Sequence, residues 1–519
     1  MRSGKKRMDR VLLCAVIALA ALVGFFETGA FSEERRADML TVVVAADPAN
    51  LDPNDSDAQT HYQVTRNIYE TLFIYDKDYK IIPWLCESYK YENDVTIVMN
   101  LRRGVKFHNG DELKAKDVYF TFKRVIDKKL PAMQELSNVD IDKCQVVDDY
   151  TIKIVTKGPI ATQVPLLENP AAGIMSERAY KEANGDFLKG ACVGTGPFEF
   201  VSYSPGDQVL LKAFDSYWRK GEPHFDKVVM RFISDSASRA IEAESGGADI
   251  VYDIGARNIE SVRAVKGVQM VSDLGTNTSH LLMNTSMAPL DNDLVRQAVW
   301  YGVDAMAAVK LAYGNFGAPA VDWVSPGIKG SNPNLAKEFF PKRDVAKARE
   351  CLKKAGYANG IELEIVVPSS QQERCDMAEV FQAQLAEVGI KLKVNIMESS
   401  SWNAYILAGK AQLTIYGFSA ADFEADRSLV QFMPSNVNYN ICKFNNKEFQ
   451  DIVSKSFVTL DNEERYALYR NAIVLLMKNH VCVPLWHKEL NAAVKENIKG
   501  FKITRSYEHH YLQYVHRDQ

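Results

Sequence analysis

The sequence carries almost no excess of charge. Its 519 residues include 62 Lys and Arg against 66 Asp and Glu, which leaves a formal net charge of -4. A chain this balanced has no general electrostatic attraction for nucleic acid or for an anionic membrane surface. We therefore expect a small molecule or another protein as the partner, and no nucleic acid.

The signatures of the common enzyme classes are also missing. The chain contains no GxSxG, HExxH, GxxxxGKS/T or GxGxxG pattern. The segment from Gly194 to Pro197 resembles a phosphate-binding loop only superficially, because Pro197 has no amide proton to donate and no Lys-Ser/Thr pair follows. Nothing in the sequence points to a catalytic residue, and we do not expect an enzyme.

Metal-binding patterns are equally scarce. The cysteines form no CxxC pair, which excludes the common zinc and redox motifs. Asp52, Asp55 and Asp57 crowd one loop, but they lack the central Gly and the terminal Glu of an EF-hand. His509 and His510 are adjacent, so on a strand they would point to opposite faces. We predict no metal and no cofactor.

The first thirty residues form a separate segment. Basic residues up to Arg10 precede the uncharged run from Val11 to Phe26, and the small residues Thr28 and Ala30 follow. This pattern is typical of a secretory signal peptide, with cleavage predicted after Ala30. An uncleaved membrane anchor is the alternative, although the run is shorter than the ~20 residues that span a bilayer.

Export changes what remains of the chain. Cys14 follows two leucines, which makes a poor lipoprotein-processing site, so we expect a soluble periplasmic protein without a lipid anchor. Removing residues 1–30 leaves 57 basic and 64 acidic groups, a net charge of -7. Seven of the eight cysteines remain. Whatever disulfides form in an oxidising compartment, at least one thiol stays unpaired within a monomer.

The mature chain is too long for one hydrophobic core, because single cores stop growing near roughly 250–300 residues. Two or three packed units are expected. In the first half, strands are predicted from Thr41 to Ala46 and from Thr96 to Leu101, with a helix between Asp111 and Asp127.

The second half alternates helices and strands. Asp344 is a candidate N-cap and Gly356 a candidate terminator of one helix, and a second helix carries the apolar series from Met377 to Val388. A strand is predicted after each of them, at 361–367 and 390–396, and a third helix–strand pair at 401–408 and 413–416. Repeated β-α-β units predict parallel pairing with right-handed crossovers. Ligands bind such sheets at the carboxyl ends of strands, which directs attention to the loop after Tyr416.

Several segments together resemble a known family. They are 83–89 (PWLCESY), 101–110 (LRRGVKFHNG), 115–122 (AKDVYFTF), 194–198 (GTGPF), 217–218 (YW), 245–250 (SGGADI), 295–298 (VRQA) and 346–357 (AKARECLKKAGY). In this order they are similar to the family 5 extracellular solute-binding proteins of ABC importers, which include dipeptide-, oligopeptide- and nickel-binding proteins. The likeness runs from about Leu40 to about Tyr514.

The resemblance implies an α/β fold of the two-lobe periplasmic-binding-protein type II, in its three-domain variant with a hinged ligand cleft. Lobe 1 would combine residues 31–70, 190–283 and 490–519, and residues 71–189 would form an inserted domain II. Lobe 2 would comprise residues 284–489. A ligand in the cleft would stabilise the closed form because it contacts both lobes.

The resemblance also implies ligand-binding residues. In peptide-binding members a carboxylate in a loop of the second lobe meets the ligand's ammonium group, and Asp422 is the best match here. Glu424 and Asp426 are alternatives, because the family's preceding Trp and following Asp-Pro are missing. Arg374, near the start of the helix before the strand at 390–396, is the candidate for the ligand's carboxylate.

The aromatic residues Tyr416, Phe418 and Trp402 are candidates for the walls of the ligand's side-chain pockets. We therefore expect a monomeric, non-enzymatic receptor that captures di- or oligopeptides and delivers them to an ABC permease. The alternatives are a receptor for a nickel chelate, haem, an opine or an oligosaccharide, an exported peptidase or chaperone, and a chemosensory receptor.

Overall fold

The structure is a computed structural model that describes residues 37–56, 58–76, 78–314, 316–320, 322–332, 334, 342–420, 423–436, 439–506 and 511–518. The predicted signal peptide, Asp422 and the pair His509 and His510 lie outside these residues. No helix of the described part combines the length and the apolar character that crossing a bilayer requires.

The described chain mixes strands and helices throughout. In chain order the strands are β1 Ala37–Val44, β2 Phe73–Tyr75, β3 Ile81–Pro83, β4 Cys86–Asn93, β5 Thr96–Leu101, β6 Gln145–Val146, β7 Thr151–Val155, β8 Phe198–Ser204, β9 Gln208–Ala213, β10 Phe225–Phe232, β11 Ile250–Tyr252, β12 Val268–Met283, β13 Ala318–Pro319, β14 Ile361–Pro368, β15 Ile390–Met397, β16 Leu413–Ser419, β17 Cys482–Lys495, β18 Ile498–Lys499 and β19 His516–Arg517. The helices are α1 Gln59–Thr65, α2 Ala115–Lys128, α3 Met133–Leu136, α4 Gln163–Leu166, α5 Glu177–Glu182, α6 Ser236–Ser245, α7 Ile259–Arg263, α8 Asp293–Gly302, α9 Ala305–Tyr313, α10 Val345–Lys354, α11 Gln372–Ala386, α12 Ser399–Leu407, α13 Asp426–Val430, α14 Lys447–Val458 and α15 Asn462–Lys478.

One mixed sheet connects the two ends of the molecule. Its strand order is β15-β14-β16-β12-β17-β11-β1-β10-β9-β8, and β13 pairs with β17. A separate four-stranded antiparallel sheet has the order β4-β5-β7-β6. The mixed α/β architecture predicted from the sequence is confirmed.

The buried apolar side chains fall into three main cores. The C-terminal core consists mainly of residues 281–486, and the inserted core covers the four-stranded sheet and its helices within 72–174. The N-terminal core gathers residues from 40–69, 175–252 and 490–515, with a smaller satellite beside it. Three discontinuous stretches of sequence thus pack together at one end.

The predicted β-α-β units are present. Strand β14 pairs in parallel with both β15 and β16. Helix α10 begins where predicted, because the Asp344 side chain accepts a hydrogen bond from the amide of Lys347 at 2.9 Å. It ends before Gly356, whose φ of 91° lies in the left-handed region that favours glycine.

Two long antiparallel strands, β12 and β17, connect the cores. The first part of β12, up to Leu274, pairs with the end of β17 in the N-terminal core, and the part from Thr278 pairs with its beginning in the C-terminal core. The register shifts between Leu274 and Thr278, where the pairing passes from Glu489 to His487. This irregularity marks the point where the sheet crosses from one core to the other.

Candidate functional site

The carboxyl ends of β14, β15 and β16 bring the predicted ligand residues to one edge of the sheet. Because these strands are parallel, the segments that follow them emerge on the same side. Arg374 lies in the first turn of α11 after β14, and Trp402 lies in α12 after β15. Tyr416 and Phe418 belong to β16, which leads into the loop 420–426.

Arg374 is the least satisfied charged group at this edge. Its guanidinium lies over the ring of Trp402, 5.3 Å from the centroid. Its Nη1 atom is buried and has no hydrogen-bond partner among the described residues. Burial lowers the pKa of Arg374, while the nearby Tyr313 and Tyr416 act in the opposite direction. A desolvated cation with a vacant donor is suited to receive a carboxylate.

The three predicted aromatic residues form one row. The ring of Tyr416 lies 6.0 Å from that of Trp402 and 5.2 Å from that of Phe418, which contacts Phe432 at 5.1 Å. The Trp402 indole donates to the carbonyl oxygen of Val366 at 3.3 Å. Trp402 and Phe418 are almost fully buried, whereas Tyr416 is partly exposed. Tyr416 is thus the member of the row that presents surface to a ligand.

The acidic alternatives in the loop 420–426 are already engaged. Glu424 accepts two hydrogen bonds from Arg465, both at 3.0 Å, and one from the Tyr469 hydroxyl at 2.9 Å. Desolvation opposes the charge of Arg465, but this carboxylate keeps the pKa of the guanidinium above its ordinary value. Asp426 is buried, and its side chain accepts from the amide of Arg427 at 2.8 Å. Both residues fix the loop, and Glu424 has no accepting position left for a ligand ammonium.

Phe423 ties the same loop to the inserted core. Its ring is 4.7 Å from that of Tyr75 and 4.6 Å from that of Tyr79, and its backbone has a φ of 58°. Nearby, Arg427 pairs with Glu135 of the inserted core at 2.7 Å. The loop therefore takes part in the contact between the inserted and C-terminal cores.

The crossing strands are packed closely at the register shift. A Cβ at Gly275 would lie 2.8 Å from the carbonyl oxygen of Lys488 on the neighbouring strand, so a larger residue would push the strands apart. On the far side of the shift, Thr278 Oγ1 and His487 Nδ1 are 2.9 Å apart. Burial lowers the pKa of His487 to about 3, which keeps the ring neutral.

Arg505, from the last segment of the N-terminal core, braces this crossing. Its carbonyl oxygen accepts from the amide of Thr276 at 2.9 Å, and its Nε donates to the carbonyl oxygen of Leu274 at 2.8 Å. Its Nη2 reaches Ser325 Oγ of the C-terminal core at 3.2 Å, and its amide donates to the Tyr79 hydroxyl of the inserted core at 3.2 Å. One residue thus connects all three cores.

Other groups weighed in the sequence have structural surroundings. Asp52 is buried and forms an ion pair with Arg124, and the ring of His516 lies against the carbonyl oxygen of Tyr514 at 3.3 Å. Gly196 donates its amide to the carbonyl oxygen of Ile68 at 2.9 Å, as part of a close backbone contact. The seven described cysteines are all buried free thiols.

Sequence reasoning missed much of what surrounds Arg374. Tyr313 stacks on Trp486 with the centroids 4.0 Å apart, yet the two residues belong to distant segments. The contacts of Arg505 and the polar face of β12 were also missed. All depend on long-range pairing of β12 and β17, and periodicity within a segment carries no signal of that pairing.

Comparison with known proteins gives a consistent result. The sequence profile described as bacterial extracellular solute-binding proteins, family 5 Middle, matches residues 80–440. A glutathione-binding protein, GsiB, from Salmonella choleraesuis (strain SC-B67) is 29% identical over 501 residues, covering 94% of this chain and 95% of that protein.

Two solved structures are similar over nearly the whole chain. The periplasmic binding protein DppA from Helicobacter pylori in complex with the peptide STSA has a TM-score of 0.81 at 26% identity, covering 94% of this chain and 99% of that one. The binding protein AgaA from A. tumefaciens R10 in complex with agropinic acid has a TM-score of 0.79 at 27% identity, with coverages of 93% and 99%. These likenesses establish the two-lobe fold expected from the sequence.

Proposed function

The chain belongs to the family 5 bacterial extracellular solute-binding proteins of ABC importers, and from this premise we propose that it captures short peptides for the membrane permease. The observation that carries the proposal is the vacant, buried donor of Arg374 at the carboxyl edge of the sheet. Peptides always carry a terminal carboxylate, and a guanidinium binds such a group through paired hydrogen bonds. The relatives that bind glutathione and the peptide STSA support the same ligand class.

The ligand's ammonium group is assigned to Asp422. An ammonium brings three donors and no acceptor, so a carboxylate is its natural partner. The engagement of Glu424 with Arg465 and Tyr469 removes one of the two alternatives and strengthens the assignment to Asp422. Asp426 is the other alternative, and its burial and hydrogen bond to the amide of Arg427 argue against it.

Closure of two lobes around the ligand is the mechanism that we propose. Residues 284–489 form lobe 2, residues 31–70, 190–283 and 490–519 form lobe 1, and residues 71–189 form domain II. The crossing strands with Gly275 and Arg505 serve as the hinge. A ligand that contacts both lobes shifts the equilibrium to the closed form, which the permease recognises. No bond of the ligand is made or broken.

We further propose that the protein works in the periplasm as a monomer, after removal of residues 1–30 as a signal peptide. Analysis of the N-terminus of the exported protein tests this part, since it should begin at Phe31. A protein that retains its first thirty residues would contradict it.

A thermal-shift screen tests the ligand class. A ligand that binds only the folded protein stabilises it by RT ln(1 + [L]/Kd), so di- to pentapeptides and glutathione should raise Tm. Agropinic acid is a second candidate, because the structurally similar AgaA binds it. A response to agropinic acid, a nickel chelate, haem or an oligosaccharide with none to any peptide would contradict the proposal.

The role of Asp422 is tested by Asp422→Ala. The variant should remain folded and lose peptide binding, because the ligand's ammonium would lose its partner at a cost of roughly 2–5 kcal/mol. Asp451→Ala, which removes an exposed carboxylate paired with Lys447, is the matched control and should bind as the wild type. Equal affinity of both variants would reject Asp422.

A further inference from the structure

A polar strip lies on one face of β12 and β16, immediately before the loop 420–426. Ser279 pairs with Gly417 and Asn277 pairs with Ser419 across the two antiparallel strands. Directly paired residues share a face of the sheet, as do residues two apart on one strand. Asn277, Ser279 and Gly417 therefore lie side by side at the sheet edge that carries Arg374.

Gly417 leaves the strip open. A Cβ at this position would lie 2.5 Å from Asn277 Oδ1 and 3.1 Å from Ser279 Oγ, so the two polar side chains sit directly over the main chain of Gly417. No residue with a side chain fits there without displacing them. Asn277 and Gly417 are both partly exposed, so the strip is a shallow surface that solvent or a ligand can reach.

The side-chain amide of Asn277 is not used by the fold. The hydrogen bonds of the described residues include none from this amide or from the Ser279 hydroxyl, although Ser279 is buried. The neighbouring Ser419 differs, because its hydroxyl is 2.9 Å from that of Thr276. An unused amide beside an engaged hydroxyl points to a partner from outside the chain.

The same face continues to the surroundings of Arg374. Ser279 is paired on its other side with Trp486, whose ring stacks on Tyr313. Tyr313 is one of the groups that feel the charge of Arg374. The strip and the vacant guanidinium are thus joined by the Tyr313–Trp486 stack, and one ligand can lie along both.

We infer that Asn277 determines specificity by recognising a peptide group of the bound ligand, with Ser279 as an auxiliary contact. A carboxamide offers one acceptor and two donors, which complement the N–H and C=O of a peptide bond. Gly417 permits the ligand's main chain to approach closely. The inference rests on the proposed function, because it gives the peptide ligand a contact between its two charged termini.

The test compares a short peptide with its depsipeptide, in which an ester replaces the amide and the N–H is lost. The wild-type protein should bind the peptide about 3- to 10-fold more tightly, which is the range for one net hydrogen bond. Asn277→Leu keeps the size but not the amide, so it should weaken peptide binding by the same factor and bind both ligands equally. Ser279→Ala should weaken the peptide less.

Asn395→Ala is the control, since Asn395 is a partly exposed asparagine of the same sheet whose amide donates to Glu364 at 3.2 Å. It should retain the wild-type preference for the peptide over the ester. Peptide binding in which Asn277→Leu keeps the full preference would overturn this inference and leave the proposed function standing. Failure of the wild-type protein to bind any peptide would overturn both.

Discussion

At the scale of single residues, Arg374 shows how a binding protein keeps a group ready for its ligand. A buried donor without a partner costs about 1–3 kcal/mol of folding stability, so such groups are rare away from functional sites. Arg374 retains this cost although the ring of Trp402 lies beneath its guanidinium. The ligand's carboxylate would remove the penalty when it binds, which concentrates binding energy at one contact.

Arg374→Met should therefore separate stability from function. Because Met fills similar space without a buried charge, the ligand-free variant should be at least as stable as the wild type, up to about 2 kcal/mol more. Peptide affinity should fall at least about 30-fold. Thermal denaturation and calorimetric titration measure the two effects. Arg349→Met, at an exposed arginine of α10, is the control, and a variant at position 374 that loses stability and keeps its affinity would refute this account.

The buried histidines make a second prediction at this scale. Burial lowers the pKa of His487 and of His280 to about 3, well below the ordinary value near 6.5. Between these values the unfolded chain binds protons that the folded chain does not, so stability falls as pH drops from about 6.5 toward 3. Asp322, whose pKa burial raises to about 6, acts in the opposite direction over part of this range.

A single substitution isolates the contribution of His487. His487→Gln retains a polar partner for Thr278 but cannot gain a charge. The difference in unfolding free energy between pH 7 and pH 5 should therefore be smaller than in the wild type, by on the order of 2 kcal/mol. Urea denaturation at the two pH values measures it. Equal pH dependence of the two proteins would show that His487 is not held neutral.

At the scale of elements, the parts of the molecule built from local contacts could be predicted. The strand β5 and the helix α10 with its Asp344 cap and Gly356 terminator follow from residues close together in sequence. The parallel pairing of β14 with its neighbours followed from the helix–strand alternation, and it placed Arg374 at the correct edge.

The long strands β12 and β17 could not be predicted in this way. Their pairing joins residues about two hundred positions apart, such as Thr278 and His487. The glycine at 275 is required by the carbonyl oxygen of Lys488, which only the paired structure brings near. The hinge and the polar strip of Asn277 are products of this pairing, so neither leaves a signal in a single segment.

Arg505 gives the prediction that belongs to these elements. Arg505→Ala removes the side-chain bonds to Leu274 and Ser325 that join two cores across the crossing strands. The ligand-free protein should then populate more open forms, and apparent affinity should fall about 3- to 10-fold without loss of any ligand contact. Small-angle scattering of the ligand-free protein and peptide titration measure the two effects.

Arg517→Ala serves as the matched control, because Arg517 pairs with Asp249 at 3.1 Å within the N-terminal core. It should lower Tm without changing the scattering profile or the affinity. If the two variants behave alike, Arg505 is a stabilising residue and not a brace of the hinge.

At the scale of the whole molecule, three cores share one large sheet through two strands. Such a connection is narrow, and the remaining contacts between the cores are side-chain contacts that can separate, such as Phe423 between Tyr75 and Tyr79 or Arg427 with Glu135. The near-neutral charge of the chain fits this arrangement, because selectivity comes from a few fixed groups in the cleft and not from the overall field.

The central claim is that the cleft captures a short peptide by both of its charged ends, Arg374 receiving the carboxylate and Asp422 the ammonium. Calorimetric titration of the mature protein with one short peptide, its N-acetylated form and its C-amidated form tests the claim most directly. Each modification removes one charge, so each should weaken binding at least about 30-fold. Equal binding of all three forms, or binding of none of them, would contradict it.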